Sequence, residues 1–356
     1  MPVFNIFYNE RRFGKIDRLQ SVRPAGERTS EPTCPLFQKI AMAQARQWNR
    51  NVYFVEEGSS SCKEWMETHD INHIHLDSAE VQELFLDLHD RFPELKDMNA
   101  EFTYAYARQW HYLDVARLLG VSEFVSIDGD VMTYIPASHL AKYMRENGYG
   151  AAFCLYWPRA NNLMGYFTTA ALNEMISYLD AFPRGKSPWP AGDMGWLKNY
   201  AALPFRDEEV GFSVRRPANF TPKFKVGNTC SYWNGGIGAD VIRLDQDWEG
   251  HFKTHVRGFK NTTFKTITWR NHMPHFTRSN DSRLVPIWHT HFKGTNKAMM
   301  QNYLRWYGHP HECLVGHGHT CSCSSNHCIE CYSVSPCDFS PPAVVDQQKL
   351  RRLQSV

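Results

Sequence analysis

EFVSIDGD, residues 123–130, is the stretch on which the fold turns. Its first five residues are an apolar, β-type run, and the run stops at Asp128-Gly129-Asp130. Helical patterns lie before and after it, which is the alternation of an α/β fold. Ligands of such sheets gather at the carboxyl ends of the strands. In extended backbone, residues two apart point to the same side, so the Asp128 and Asp130 carboxylates can reach one cation. Hard cations such as Mg²⁺ or Mn²⁺ take oxygen ligands of this kind and share them with phosphates. Gly129 between them lets a phosphate or a sugar approach the backbone. An Asp-Gly-Asp triplet also suits an ordinary turn, and by itself leaves the two readings level.

Working outward, strands are expected at residues 2–8 (PVFNIFY), 51–55 (NVYFV) and 71–76, with helices at 35–48, 81–90 and 100–119. Downstream, a strand at 153–157, helices at 168–182 and 192–202, a strand at 284–292 (LVPIWHTHF) and a helix at 297–307 follow. Residues 204–265 are richer in Pro, Gly, Asn and Arg, and their strands are harder to place. No internal repeat is visible. After Gly308 the composition shifts to His, Cys, Ser and Pro, which sets a boundary between residues 1–307 and a Cys/His-rich tail, 308–356.

The formal net charge of +2 is spread along the 356 residues, and the only dense basic run is Lys349, Arg351 and Arg352. A nucleic-acid partner is therefore not expected. No stretch approaches the roughly 18–20 apolar residues that span a bilayer, and the first residues lack the pattern of a signal peptide. The expected location is cytoplasmic. Sequons at Asn219 and Asn261 would matter only in a secretory protein. Aromatic residues make up 14% of the chain, which suits sugar-binding clefts and ordinary cores alike.

A second constellation is Trp288-His-Thr-His-Phe-Lys-Gly-Thr-Asn-Lys297. His289 and His291 are two apart on the expected strand, and an imidazole there can complete a divalent ion's coordination. Gly294 permits a tight bend whose N–H groups face a phosphate, and Lys297 brings a positive charge to a diphosphate. These are the parts that a departing nucleoside diphosphate needs to have its charge neutralised. The competing reading is one buried, hydrogen-bonded His and one surface Lys.

Taken together, the strand-terminal DxD of Ser126-Ile-Asp-Gly-Asp130 and the distant His291-Phe-Lys-Gly-Thr-Asn-Lys297 resemble the glycosyltransferase type A fold. Within it, the sequence is most similar to glycogenin-like and bacterial galactosyltransferase-like enzymes, which close their site with His-x-x-Gly-x-x-Lys. The resemblance implies a single domain with a Rossmann-like mixed central sheet flanked by helices. It also implies that Asp128, Asp130 and His291 bind a Mn²⁺ or Mg²⁺ ion holding the donor diphosphate, with Gly129, Gly294 and Lys297 at the phosphates. An Arg on the helix before the DxD strand belongs to the pattern. Arg108 and Arg117 both qualify, and Arg108 is preferred. Gly192-Asp-Met-Gly-Trp-Leu197 resembles the acidic helix start that faces the transferred sugar, which nominates Asp193, equally suited to be a helix N-cap. Tyr8 and Asn9 are placed at the nucleotide base by the same likeness, although Tyr8 also suits a core. The implied activity is transfer of a sugar, with retention, from a nucleotide-sugar donor (UDP-sugar favoured) to an acceptor hydroxyl on a glycan, protein or small molecule. The chain departs from the pattern in lacking an aromatic soon after Lys297 and in having no clean Asn-x-Gly segment.

In the tail, Cys321, Cys323, Cys328 and Cys331 offer four ligands for Zn²⁺, but the Cys-x-Cys spacing is shorter than a standard finger's, and a disordered or partly disulfide-bonded tail is the alternative. Two other functions compete with sugar transfer. One is a sugar nucleotidyltransferase, disfavoured by a first loop with one Gly. The other is a zinc-dependent binding protein acting through the tail.

Overall fold

The computed structural model describes residues 1–8, 34–57, 62–96, 100–156, 159–182, 193–202, 220–230, 237–241, 254–255, 267–270, 273–277, 283–292, 297 and 300. β1 (Val3–Phe7), β2 (Val52–Glu57), β3 (Asn72–Leu76) and β4 (Glu123–Ile127) form a parallel set in the order β3-β2-β1-β4. The sheet then changes direction. β7 (Arg159–Thr168) pairs antiparallel with β4 and with β6 (Tyr149–Tyr156), and β8 (Lys225–Asn228) adds in parallel beyond β6. The result is a seven-stranded mixed sheet, as the α/β reading requires.

Helices cover both of its faces, which is why the strands read as nearly unbroken apolar runs. Along β4, Phe124 enters one core while Val125 and Ile127 enter the other. The first core is closed by α1 (Leu36–Trp48), α2 (Lys63–Thr68) and α5 (Ala137–Glu146). The second is closed by α3 (Ser78–Arg91), α4 (Ala100–Leu118), α6 (Thr169–Asp180) and α7 (Asp193–Ala202). Helix starts follow local chemistry. Asp77 caps α3 by accepting from the Ala79 and Glu80 N–H groups, and Thr168 caps α6 through Ala171. Gly120, at φ +63°, ends α4 with the Val121 N–H on the Ala116 carbonyl, a left-handed cap that a side chain would strain.

A second, six-stranded sheet lies beside the first among the described residues. It contains β9 (Ile237–Val241), β10 (Thr254–His255), β11 (Ile267–Arg270), β12 (Met273–Thr277) and β13 (Leu284–Phe292). Its sixth strand, β5 (Val131–Thr133), follows β4 directly and pairs with β13.

Four of the ten cysteines are joined as Cys34–Cys62 and Cys154–Cys230, with Cα atoms 4.6 and 4.7 Å apart. The first bond links the entry of α1 to the entry of α2. The tail and its six cysteines lie outside the described residues.

Candidate functional site

The site begins where β4 runs out. The Val131 N–H returns to the Asp128 carbonyl at 3.1 Å, so Asp128-Gly129-Asp130 forms a turn that carries the chain from the first sheet to the second. The triplet is thus a turn and an acidic site at once. Beyond it β5 runs antiparallel to β13, with His291 opposite Val131, and the Phe292 N–H bonds the Asp130 carbonyl at 2.9 Å. This register brings His291 to the aspartates across some 160 residues of chain.

Around Asp130, His291 Nε2 stands 3.5 Å from Oδ1, and Lys297 Nζ stands 3.2 Å from Oδ2. On the other side, Arg108 of α4 donates from Nη1 to Asp128 Oδ1 at 3.0 Å, and the Gly129 N–H donates to the same oxygen at 2.9 Å. Arg117, the alternative, is exposed and bonds Asn173 and Asp114 instead. One carboxylate pair therefore faces two fixed cations and an imidazole.

These neighbours separate the two carboxyls. Burial works against charge on Asp128, yet Arg108, His291, Lys297 and the Gly129 N–H outweigh it, and its pKa lies below the ordinary carboxylate value. Asp130 goes the other way: burial and the Asp128 charge push it up, despite His291 and Lys297. Asp130 Oδ1 is buried and accepts no hydrogen bond among the described residues. A carboxylate oxygen without a hydrogen bond is costly to bury, and beside an imidazole it suits a cation. Among the described residues, however, no three His, Cys, Asp or Glu side chains are gathered to hold a metal ion by themselves. A divalent ion at this site would take part of its shell from elsewhere, as Mg²⁺ and Mn²⁺ do from phosphates.

Two residues of the α1 entry, Phe37 and Gln38, complete the surroundings, and nothing in the sequence pattern singles them out. Lys297 Nζ lies 4.4 Å from the Phe37 ring centroid. The Gln38 carboxamide lies so close to Gly129 that a Cβ added there would meet Nε2 at 2.0 Å and Oε1 at 2.5 Å. Any larger residue would require the Gln38 side chain to move.

Of the other expected site residues, Tyr8 lies within reach of the Arg108 charge but belongs to the second core. Tyr8 is 5% exposed, its ring stacked on Tyr104 at 5.1 Å, and its hydroxyl shares a 2.7 Å hydrogen bond with His111 Nδ1. Burial raises the Tyr8 pKa and lowers that of His111 to about 4, so both are neutral at pH 7. Asp193 opens α7, whose Trp196, Leu197 and Tyr200 are buried in the second core; its own side chain is outside the described part. Asn9 and Gly294 also lie outside the described residues. His289, two residues before His291, is 1% exposed with Nε2 3.9 Å from the Cys230 sulfur, so it packs against the Cys154–Cys230 disulfide.

No family model matches the chain, and no curated protein matches it significantly. Solved structures with related backbones exist at low identity. Mouse xyloside xylosyltransferase 1 in its apo form is 12% identical, over 55% of this chain and 80% of its own, with a TM-score of 0.34. The PaToxG glycosyltransferase is 12% identical, over 59% and 71% of the two chains, with a TM-score of 0.34. A cytidylyltransferase from Leptospira borgpetersenii is 10% identical, over 63% and 79%, with a TM-score of 0.29. At this level of likeness none of them assigns a family or an activity to the chain.

Proposed function

We propose that this chain is a metal-dependent glycosyltransferase of the type A fold, moving a sugar from a nucleotide-sugar donor, UDP-sugar favoured, to an acceptor hydroxyl with retention. The supporting observation is that Asp130, on the turn after β4, meets His291 and Lys297 from the far end of the chain, its buried Oδ1 lying 3.5 Å from the imidazole without a hydrogen bond among the described residues. Asp128, Asp130 and His291 are assigned to hold Mn²⁺ or Mg²⁺. A bound ion supplies neutralisation of the charge that develops on the departing diphosphate.

The chain's own residues do the rest. Arg108 keeps Asp128 ionised, so a hard anionic oxygen is present at neutral pH. Lys297, steadied by the Phe37 ring and Asp130, supplies a cation for the phosphates. Gly129 leaves room for the Gln38 carboxamide to lie between the two carboxylates. Asp193 is assigned to the sugar side, where α7 begins.

A thermal-shift series tests this reading with UDP, GDP, UDP-glucose and GDP-mannose, each with and without Mn²⁺. At about a hundred times Kd, a ligand adds roughly 2.7 kcal/mol to the folded state. The expected outcome is Mn²⁺-dependent stabilisation by one nucleotide series, lost in Asp130→Asn. A melt that none of the four ligands moves, with or without metal, would refute the reading.

A further inference from the structure

We infer that Gln38 is a specificity-determining residue of the donor site, its carboxamide oxygen accepting a hydrogen bond from a hydroxyl of the nucleotide-sugar. The inference rests on the donor reading above. Gln38 is 5% exposed, and its Oε1 is buried with no hydrogen-bond partner among the described residues. A buried amide acceptor left empty costs the chain stability, so an unfilled one beside a ligand site points to a partner that arrives with the ligand. Its place is set by three neighbours. The carboxamide lies against Gly129, between the two aspartates. The preceding residue, Phe37, carries the Lys297 ammonium. Just before them, Cys34 is bonded to Cys62, which ties the start of α1 to the start of α2.

The chemistry of the group narrows what it recognises. An amide oxygen accepts a hydrogen bond without bringing charge, whereas a third carboxylate beside Asp128 and Asp130 would repel a diphosphate. A phosphate oxygen has no proton to offer, so the partner must be a donor. On a nucleotide-sugar, the donors nearest the diphosphate are hydroxyls, either of the ribose or of the sugar to be transferred. A site built to bond a hydroxyl rejects the analogue that lacks it far more strongly than an apolar site does.

The test is the Mn²⁺-dependent affinity of UDP and UDP-glucose, or of GDP and GDP-mannose if that series binds, for wild type, Gln38→Met and Asp130→Asn. Met keeps the length and removes the acceptor. If the ribose is read, Gln38→Met weakens the nucleotide and the nucleotide-sugar alike, by roughly 3- to 10-fold, the worth of one neutral hydrogen bond. If the sugar is read, it weakens the nucleotide-sugar only. Unchanged affinity for both, with Asp130→Asn abolishing both, would overturn the Gln38 assignment and leave the donor reading standing. Wild type binding neither would remove the donor reading, and this inference with it. Should Gln38→Met show no cooperative melt, the wild-type chain is measured with 2′-deoxy-UDP, 3′-deoxy-UDP and UDP-2-deoxyglucose. Affinities equal to those of the parent compounds overturn the assignment, and a loss of similar size for one of them upholds it.

Discussion

Replacing Gly129 by Ala adds one methyl group at the most crowded point of the site. The new Cβ would stand 2.0 Å from Gln38 Nε2 and 2.5 Å from both Cδ and Oε1, whereas real Cβ contacts essentially never fall below 3.0 Å. Gly129 is buried and α1 is packed into the first core, so the backbone cannot retreat freely; the Gln38 side chain must give way. Displacing the end of one flexible side chain falls at the low end of overpacking, about 1 kcal/mol. The origin of the cost is testable because it belongs to one pair. In a Gln38→Ala background the obstruction is gone, and Gly129→Ala should then cost little. Four chains (wild type, each single variant and the double variant) unfolded in urea give the cycle directly. The expected coupling is about 1 kcal/mol, with the double variant close to Gln38→Ala alone. Equal costs of Gly129→Ala in the two backgrounds would refute the reasoning, since the methyl group would then be meeting something other than Gln38.

Two further predictions rest on other parts of the fold. Burial lowers His111 from its ordinary 6.5 to about 4, so between those values the unfolded chain takes up a proton that the folded chain refuses. His111 therefore costs nothing above pH 6.5, and stability falls as the pH drops from there toward 4, by up to roughly 3 kcal/mol. His111→Asn, whose Oδ1 can still take the Tyr8 hydroxyl, should flatten the slope of unfolding free energy between pH 5 and 6.5; an unchanged slope would contradict the assignment. The two disulfides close loops of 28 and 76 residues and by chain entropy are worth roughly 3–5 kcal/mol each. Protein produced through an oxidising compartment should melt well below its normal temperature once reduced. Under non-reducing denaturing conditions Cys34, Cys62, Cys154 and Cys230 should resist alkylation, and modification of all four would sink the pairing. Such bonds persist most readily in an oxidising compartment.

The sequence by itself determined the elements whose apolar pattern is local. The strand at 123–127, the helix at 100–119 and the strand at 284–292 are found within a residue or so of their expected bounds, because each is a local run of mostly buried residues. In α5, Ala137, Leu140, Ala141 and Met144 keep helical spacing after Pro136 and are buried. What the tertiary structure alone decided is everything that depends on chain segments meeting. β5 has three residues and no pattern of its own; it exists because β13 lies beside it. That pairing places His291 and Lys297 at Asp130, and the path of α4 selects Arg108 over Arg117. The cysteine pairs, the burial of Tyr8 against Tyr104 and the pressure of Gln38 on Gly129 are likewise distances between remote residues. Periodicity records which face of an element is buried. It holds no information on which other element covers that face, and the chemistry of this site lies in that covering.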